Sequence, residues 1–260
     1  LFFFRCAMSL FFHGAAAHGC HRWAMKAFVP VAAATCRRGS ATGRPMSHAG
    51  GQGLARWQTA TFSTSKVLRC APSAPRQALI VIDMQNGFCL PDARLCVKGA
   101  MGCLPKVVEA VDVARAAGVP IIWVVREHDP SGVDVEHTRQ HLFQNGQPGS
   151  CTIGTEDAEL VAPLEIKEDE HKVVKYRFSA FFQTRLNMLL QRMKVDTVVL
   201  VGVQTPNCIR TAAYDAVSLD YHTVVLHDAT ASKSPEVQAA NLQDMADAQI
   251  KIIAVDDWKP

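Results

Sequence analysis

The feature that most constrains the fold is an apolar run that leads directly into a helical pattern. Residues 198–203 read VVLVGV, which is typical of a strand buried on both faces of a parallel sheet. A helix is predicted to follow at once, with Thr205 as its N-cap and Pro206 at its first position. Apolar residues recur at helical spacing from Cys208 onwards. Cys208 is therefore predicted to lie in the first turn of a helix, at the carboxyl end of a strand.

That position has chemical consequences for Cys208. Unpaired N–H groups and the positive end of the helix dipole stabilise a thiolate, so we expect the thiol pKa to fall below its usual value of about 8.5. The same N–H groups can hold the oxyanion of an attacked carbonyl. The alternative is a buried and inert cysteine, which is the common case in protein cores.

Strand and helix patterns alternate from Gln77 onwards, which predicts an α/β fold with helices on both faces of a parallel sheet. The aromatic and leucine residues from Phe178 to Leu190 have helical spacing and predict a helix packed on that sheet. We expect one domain, residues 77–260, built as a three-layer αβα sandwich around six parallel strands. The strands are predicted at 78–83, 121–125, 171–175, 198–203, 221–226 and 250–255, and the other helices at 104–117, from 205 onwards and at 235–248.

The segment from Arg126 to Glu170 breaks this alternation. Proline and glycine divide it into short pieces, with a turn or two of helix predicted near 135–143 and 156–161. A long insertion at the carboxyl end of a strand is more often functional than accidental in a compact domain. We therefore expect this segment to shape a pocket.

Charge is distributed unevenly along the chain. No Asp or Glu precedes Asp83, while ten of the 27 Lys and Arg lie in residues 1–76. The remaining 17 basic and 24 acidic residues give residues 77–260 a net charge of −7. An acid-free leader rich in Ala, Ser, Thr and Gly is typical of an organelle transit peptide, which predicts a plastid location, with the mitochondrion as the alternative. The cytoplasm is expected if the leader is an artefact of the gene boundaries, since the chain opens with Leu1.

Other classes of protein are less consistent with the composition. A basic tail that binds nucleic acid is the rival for the leader, but its charges are scattered rather than clustered, so no nucleic-acid partner is expected. No run approaches the roughly 18 apolar residues needed to span a bilayer, so no membrane partner is expected either. The odd count of nine cysteines argues against a disulfide framework, and their spacing lacks the close pairs of zinc sites.

Three reactive residues follow predicted strands. Asp83 comes after the first, Lys175 after the third and Cys208 after the fourth, and the carboxyl ends of parallel strands border the crevice where ligands bind. Asp83 can take the thiol proton, the Lys175 cation can keep that carboxylate ionised, and Cys208 can attack a carbonyl. Taken singly, a strand-end Asp is often a turn former and a Lys is usually solvated. Their convergence on one edge indicates a catalytic triad.

At these residues the chain resembles the isochorismatase-like cysteine hydrolases, which include nicotinamidases, N-carbamoylsarcosine amidohydrolases and ureidoacrylate amidohydrolases. The matching segments are IDMQNGF around Asp83, VVKYRFSAF around Lys175 and VGVQTPNCIRTAAYDA around Cys208. The resemblance covers about 77–256. It implies a covalent thioester intermediate, a cis peptide between Val203 and Gln204, an oxyanion hole formed by the N–H groups of Gln204 and Cys208, and a homo-oligomer.

The chain departs from the zinc-containing nicotinamidases of that family. Those proteins have a D-x-H segment after the second strand, where this sequence has Arg126, Glu127 and His128. His128 and His137 without that Asp are better explained as solvated loop residues, so neither a metal nor another cofactor is expected. Arg126 could pair with a substrate carboxylate, or bind Glu127 or Asp129 with no catalytic role.

The resemblance also bears on substrate and reaction. Phe88, near Asp83, could form a wall of the substrate pocket, and the alternative is that it packs in the core. Relatives that cleave isochorismate lack the cysteine, so Cys208 favours hydrolysis of a C–N bond. We therefore predict a metal-independent amidohydrolase acting on a small amide, ureido or carbamoyl compound. The alternative is an inactive member of the family that binds a small ligand or acts as a regulatory protein.

Overall fold

The structure is a computed structural model that describes residues 76–144 and 149–260. The predicted leader, residues 1–76, lies outside this range except for Arg76. The strands are β1 (Gln77–Ile82), β2 (Ile121–Val125), β3 (His171–Val174), β4 (Thr197–Val203), β5 (His222–Ala231) and β6 (Lys251–Ile253). The helices are α1 (Asn86–Cys89), α2 (Ala100–Ala117), α3 (Leu186–Arg192), α4 (Arg210–Ser218) and α5 (Pro235–Asp247), and none of the described helices is long and apolar enough to cross a bilayer.

The six strands form one parallel sheet in the order β3-β2-β1-β4-β5-β6, which confirms the predicted architecture. The chain runs from β1 outwards to β3, then returns to the other side of β1 to place β4 there. The strand order therefore reverses between β1 and β4, and in open α/β sheets ligands bind beyond the carboxyl ends of the strands at such a point.

Apolar side chains alternate between the two faces of the sheet and pack against a helical layer on each. In β1, Leu79 and Val81 join the cluster under α2, while Ile80 and Ile82 join the cluster under α3 and α4. Each of these four side chains is at most 1% exposed. Burying a side chain of this size stabilises the fold by about 1.5 to 3 kcal/mol, so the alternating pattern of β1 contributes to the packing of helices on both faces of the sheet.

The predicted helix over the aromatic stretch is wrong at its amino-terminal end. Residues 178–185 form bends and turns, and α3 begins only at Leu186. The Ser179 hydroxyl accepts a hydrogen bond from the Phe181 N–H, and the Thr184 hydroxyl accepts one from the Leu186 N–H. These short-range bonds offer the backbone an alternative to helical pairing.

The predicted start of the helix after β4 is also wrong. Residues Thr205–Ile209 form a π-helical segment, and α4 begins at Arg210. Thr205 does not cap the helix, because its hydroxyl is buried and donates to the carbonyl of Ala231 at 3.0 Å. Cys208 therefore lies in the π-helical segment, two residues before α4 begins.

The last strands differ from the prediction in length. β5 ends at Ala231, five residues beyond the expected end at Leu226, and β6 is limited to Lys251–Ile253. The register between β4 and β5 shifts between Leu200 and Gly202. His227 and Asp228 interrupt the apolar pattern at that shift, which hid the continuation of the strand.

The segment after β2 is irregular, as predicted, with 3-10 turns at His137–Phe143 and Glu156–Ala158. A parallel bridge between His128 and Thr152 joins two parts of this segment to each other. The Gln85 side chain, just beyond β1, holds the segment through the carbonyls of Arg126 and Ala158, each at 2.7 Å.

Candidate active site

Asp83, Lys175 and Cys208 meet at the carboxyl edge of the sheet. The Lys175 Nζ lies 2.7 Å from Asp83 Oδ2 and 3.4 Å from Cys208 Sγ. Their exposed fractions are 1%, 0% and 3% respectively. A cation, a carboxylate and a thiol therefore form one buried cluster beside the point where the strand order reverses.

The end of β2 fixes the backbone on both sides of this cluster. The Asp83 N–H donates to the carbonyl of Val124, and the Lys175 N–H donates to the carbonyl of Val125, each at 2.9 Å. Asp83 adopts a left-handed conformation with φ of 54°, which an aspartate tolerates better than most residues. The sheet hydrogen bonds therefore continue one residue past β1 and β3, and they place both side chains over the edge.

The peptide bond between Val203 and Gln204 is cis. The Gln204 carbonyl accepts hydrogen bonds from the N–H groups of Asn207 and Ile209, at 3.1 and 3.2 Å. These bonds fold the chain directly after β4 and bring the backbone of Gln204 next to the segment that carries Cys208. The N–H groups of Gln204 and Cys208 stay a prediction as the oxyanion hole.

The expected lowering of the Cys208 pKa is wrong. Burial raises the pKa of the Cys208 thiol, and the Asp83 carboxylate raises it further. The charges of Lys175 and Arg126 act in the opposite direction without reversing the shift. The resting residue is therefore a thiol, because loss of solvent outweighs the two nearby cations.

Arg126 is buried and pairs with neither of the acids considered for it. Its Nη2 lies 2.8 Å from Glu136 Oε1, and its Nε lies 4.0 Å from Asp83 Oδ2. Glu127 instead forms an ion pair with Lys172, and Asp129 accepts hydrogen bonds from Ser131. The structure therefore places Arg126 beside the cluster and pairs it with Glu136, an acid that the sequence did not indicate.

The residues near Arg126 do not fit a zinc site. The Arg126 Nη1 lies 3.4 Å from His128 Nε2, and the other ring nitrogen of His128 lies 3.1 Å from Asp134 Oδ1. Burial and the Arg126 charge lower the pKa of His128, so its ring is neutral and Nδ1 donates to Asp134. His137 is exposed to solvent. Both His128 nitrogens are thus engaged, and a guanidinium occupies the place of the first metal ligand.

Phe88 packs in the apolar cluster beneath α2, together with Met84 and Val97. It is 5% exposed, and this placement is the core-packing alternative. A different aromatic ring, that of Phe178, lies beside the reactive residues. The Arg126 guanidinium carbon is 5.6 Å from the centre of this ring. The helical spacing of the Phe178 stretch concealed this contact.

The sequence analysis did not identify two further residues of the site, Gln85 and Glu136. Gln85 is fully buried, and its Oε1 accepts a hydrogen bond from the Arg126 N–H at 2.8 Å. The D-x-Q spacing contains Gln85, so that signal was present. Glu136 lies in the irregular segment, where no periodicity marks it.

Comparisons with known proteins agree with the predicted family and fold. Residues 77–257 match the family model described as the isochorismatase domain. A protein from Arabidopsis thaliana named "probable inactive nicotinamidase" is 48% identical over 70% of this chain and 93% of its own length. A ureidoacrylate amidohydrolase from Rhizobium rhizogenes is 29% identical over 65% of this chain and 76% of its own. The crystal structure of an isochorismatase family protein from Desulfovibrio vulgaris is 45% identical, with a TM-score of 0.69 over 70% of this chain and 96% of its own.

Proposed function

The chain belongs to the isochorismatase family, and from that membership we propose that it is a cysteine amidohydrolase that needs no metal. It cleaves a C–N bond in a small amide, ureido or carbamoyl compound through a thioester. The observation that carries this proposal is the buried cluster in which Lys175 contacts both Asp83 and Cys208, at 2.7 and 3.4 Å.

In the first half of the reaction, Asp83 takes the proton of the Cys208 thiol as the sulfur attacks the carbonyl carbon. The N–H groups of Gln204 and Cys208 hold the negative oxygen of the tetrahedral intermediate. Asp83 then returns the proton to the departing nitrogen, the C–N bond breaks and the acyl group stays on Cys208. The resting thiol fits this order of events, because the proton leaves only when substrate is present.

In the second half, Asp83 removes a proton from a water molecule that attacks the thioester carbonyl. The C–S bond breaks, the proton passes to the sulfur, and a carboxylic or carbamic acid is released. Lys175, 2.7 Å from Asp83, stabilises the Asp83 carboxylate in both halves of the reaction. Burial strengthens each of these electrostatic contacts relative to water.

The experiment is an ammonia-release screen of small amides, ureides and carbamoyl acids. The wild-type protein is compared with Cys208→Ala and with Cys96→Ala, a matched control at a half-buried cysteine in the loop before α2. Loss of the nucleophile is expected to lower turnover by about 10⁴-fold or more, whereas the control keeps wild-type activity. Activity retained by Cys208→Ala toward any accepted compound would contradict the assignment.

A second candidate is a ligand-binding or regulatory protein with negligible turnover. It is favoured by the name of the 48% identical Arabidopsis relative, which describes that protein as probably inactive in one particular reaction. Calorimetry against the same panel separates the two candidates. Saturable binding with no ammonia release from any compound supports the second one.

We also propose that the domain formed by residues 77–260 associates with a second copy of itself. Large apolar side chains stay exposed on it, among them Phe182 at 51% and Met188 at 61%. Large apolar side chains that are exposed on one subunit often mark a surface that another subunit covers. Light scattering on the purified protein at micromolar concentration tests this, and a monomeric mass would contradict it.

The leader carries a separate proposal, import into the plastid. It is supported by the absence of acidic residues before Asp83 and by the arginines and hydroxyl residues of that stretch. Residues 1–76 fused to a fluorescent protein are expected to direct it to plastids in plant cells. Mitochondrial or cytoplasmic fluorescence would contradict the proposal.

A further inference from the structure

A second buried ion pair lies directly beside the reacting residues. Arg126 is 1% exposed and Glu136 is 8% exposed, and 2.8 Å separates their charged atoms. Arg126 also approaches Asp83 to 4.0 Å, and its charge lowers the pKa of the Cys208 thiol. This guanidinium therefore links Glu136 electrostatically to the sulfur.

The position of Arg126 is fixed from several sides. Gln85 holds its backbone, His128 lies against Nη1 at 3.4 Å, and the Phe178 ring faces the guanidinium. Burial raises the pKa of the Glu136 carboxyl, but the hydrogen bond and charge of Arg126 outweigh burial and hold that pKa below its ordinary value. Glu136 is thus ionised at neutral pH and acts as an internal counterion for Arg126.

The buried charges at the site balance without a ligand. Lys175 is paired with Asp83, Arg126 is paired with Glu136, and His128 and Cys208 are neutral. Glu136 Oε2 has no hydrogen-bond partner among the described residues. A buried carboxylate oxygen without a donor attracts a substrate N–H and repels a substrate carboxylate.

We infer that Glu136 sets the substrate class, so that the site takes uncharged amides or ureides and rejects those that carry a carboxylate near the scissile bond. This inference rests on the proposed function, because it concerns what reaches Cys208. It also argues against the remaining role considered for Arg126, pairing with a substrate carboxylate. The guanidinium is neutralised from within the chain, so an anionic substrate would have to displace Glu136 from Arg126.

The pair predicts opposite effects for its two members. Glu136→Gln keeps the shape of the side chain but frees the Arg126 charge, so an anion is then attracted. Arg126→Gln leaves Glu136 uncompensated, so an anion is repelled more strongly than in the wild type. The double variant restores neutrality and returns the selectivity toward the wild-type value. A merely structural role would not move the selectivity in opposite directions.

The test uses iodoacetamide and iodoacetate, which share a leaving group and a size but differ by one negative charge. The rate of alkylation of Cys208 by each reagent is measured by peptide mass spectrometry in the wild type, the two single variants and the double variant. For each protein the iodoacetamide rate is divided by the iodoacetate rate, and this ratio is divided by the same ratio measured for N-acetylcysteine. The ratio cancels any change in thiol pKa, because both reagents attack the same thiolate. It needs no turnover, so it is independent of whether the protein hydrolyses any amide.

We expect the wild type to favour iodoacetamide and Glu136→Gln to shift the ratio toward iodoacetate by at least about tenfold, the effect of one unit charge at about 8 Å in an effective dielectric constant of about 20. Arg126→Gln shifts the ratio the other way.

A wild-type ratio close to that of N-acetylcysteine, or single variants that move it in the same direction, would overturn the inference. The expected shifts in a protein with no turnover would support the inference while overturning the proposed function. Because the resting residue is a thiol, the rates are followed up to about pH 10. A Cys208 that neither reagent alkylates at any pH in that range would overturn both the inference and the proposed function, since no small substrate could then reach the sulfur.

Discussion

At the scale of single residues, Cys208 is subject to opposing influences. Burial and the Asp83 carboxylate raise the pKa of its thiol, while Lys175 and Arg126 lower it. A helix terminus does not decide the outcome, because the residue lies in the π-helical segment and is 3% exposed. The thiol is therefore poised to lose its proton to Asp83 rather than being ionised at rest.

This balance predicts that Asp83→Asn separates two properties of the site. Removing the carboxylate charge takes away one cause of the raised pKa, so the pH profile of Cys208 alkylation by iodoacetamide shifts to lower pH. Turnover is nevertheless lost, because the proton acceptor is gone. Alkylation is followed by mass spectrometry between about pH 6 and 10, a range that brackets the ordinary cysteine pKa.

Lys175→Met is the opposite control for that experiment. It removes a charge that lowers the Cys208 pKa, so its alkylation profile shifts to higher pH. Both variants lose turnover, which separates the electrostatic effect from the catalytic one. Profiles that coincide with the wild type in both variants would contradict the account of the thiol.

The sequence predicted the convergence of Asp83, Lys175 and Cys208 because each stands at, or shortly after, the carboxyl end of a predicted strand. Parallel strands share one carboxyl edge, so no knowledge of the loops was required. Glu136 could not be predicted in the same way. It reaches Arg126 through an irregular segment whose path depends on tertiary contacts such as the His128–Thr152 bridge.

At the scale of elements, the end of β4 requires Gly202. Its φ is 109°, and a Cβ there would lie 2.1 Å from the Ile82 carbonyl oxygen on β1. Gly202→Ala is expected to lower the free energy of unfolding by about 2 to 4 kcal/mol, from backbone strain and steric overlap together. Urea unfolding followed by circular dichroism measures the change.

The matched control for that substitution is Gly102→Ala. Gly102 lies within α2, where a Cβ would meet no atom within 4 Å. Alanine is favoured over glycine inside a helix, so this variant is expected to gain about 0.5 to 1 kcal/mol. A Gly202→Ala protein as stable as the wild type would show that β1 and β4 can separate at this edge, contrary to the structure.

Strands with unbroken apolar runs were predicted closely, as for β2, whose predicted bounds agree with those observed. The prediction failed where side chains compete with the backbone or where a polar pair interrupts a strand. The hydroxyls of Ser179 and Thr184 replaced a helix by turns, and His227 and Asp228 concealed the second half of β5. In each case the deciding feature is local, but the spacing of apolar residues along the sequence does not reveal it.

At the scale of the whole molecule, the six strands that the structure describes and the three reactive residues lie from Gln77 onwards. The Arg76 carbonyl accepts hydrogen bonds from the N–H groups of Asp196 and Thr197, so a shortened chain should keep Arg76. Residues 76–260 are expected to unfold within about 2 °C of the full chain, a difference of less than about 1 kcal/mol. Their rate of amide hydrolysis should equal that of the full chain.

The same pair of proteins tests the rival account of the basic leader. Affinity for DNA that falls steeply with salt and disappears with the leader would support a nucleic-acid tail. We expect no such binding from residues 76–260, whose body carries an excess of acidic residues. A large loss of stability or activity on shortening would contradict the assignment of the fold to residues 77–260.

The mechanism requires that Cys208 carries the acyl group of the substrate during turnover. The wild-type protein is quenched with acid while it hydrolyses an accepted amide and is then digested, and the masses of its peptides are measured. The peptide containing Cys208 is expected to gain the mass of the acyl group and to lose it when the substrate is exhausted. Steady consumption of the amide with the acyl group on another residue, or on none, would contradict it.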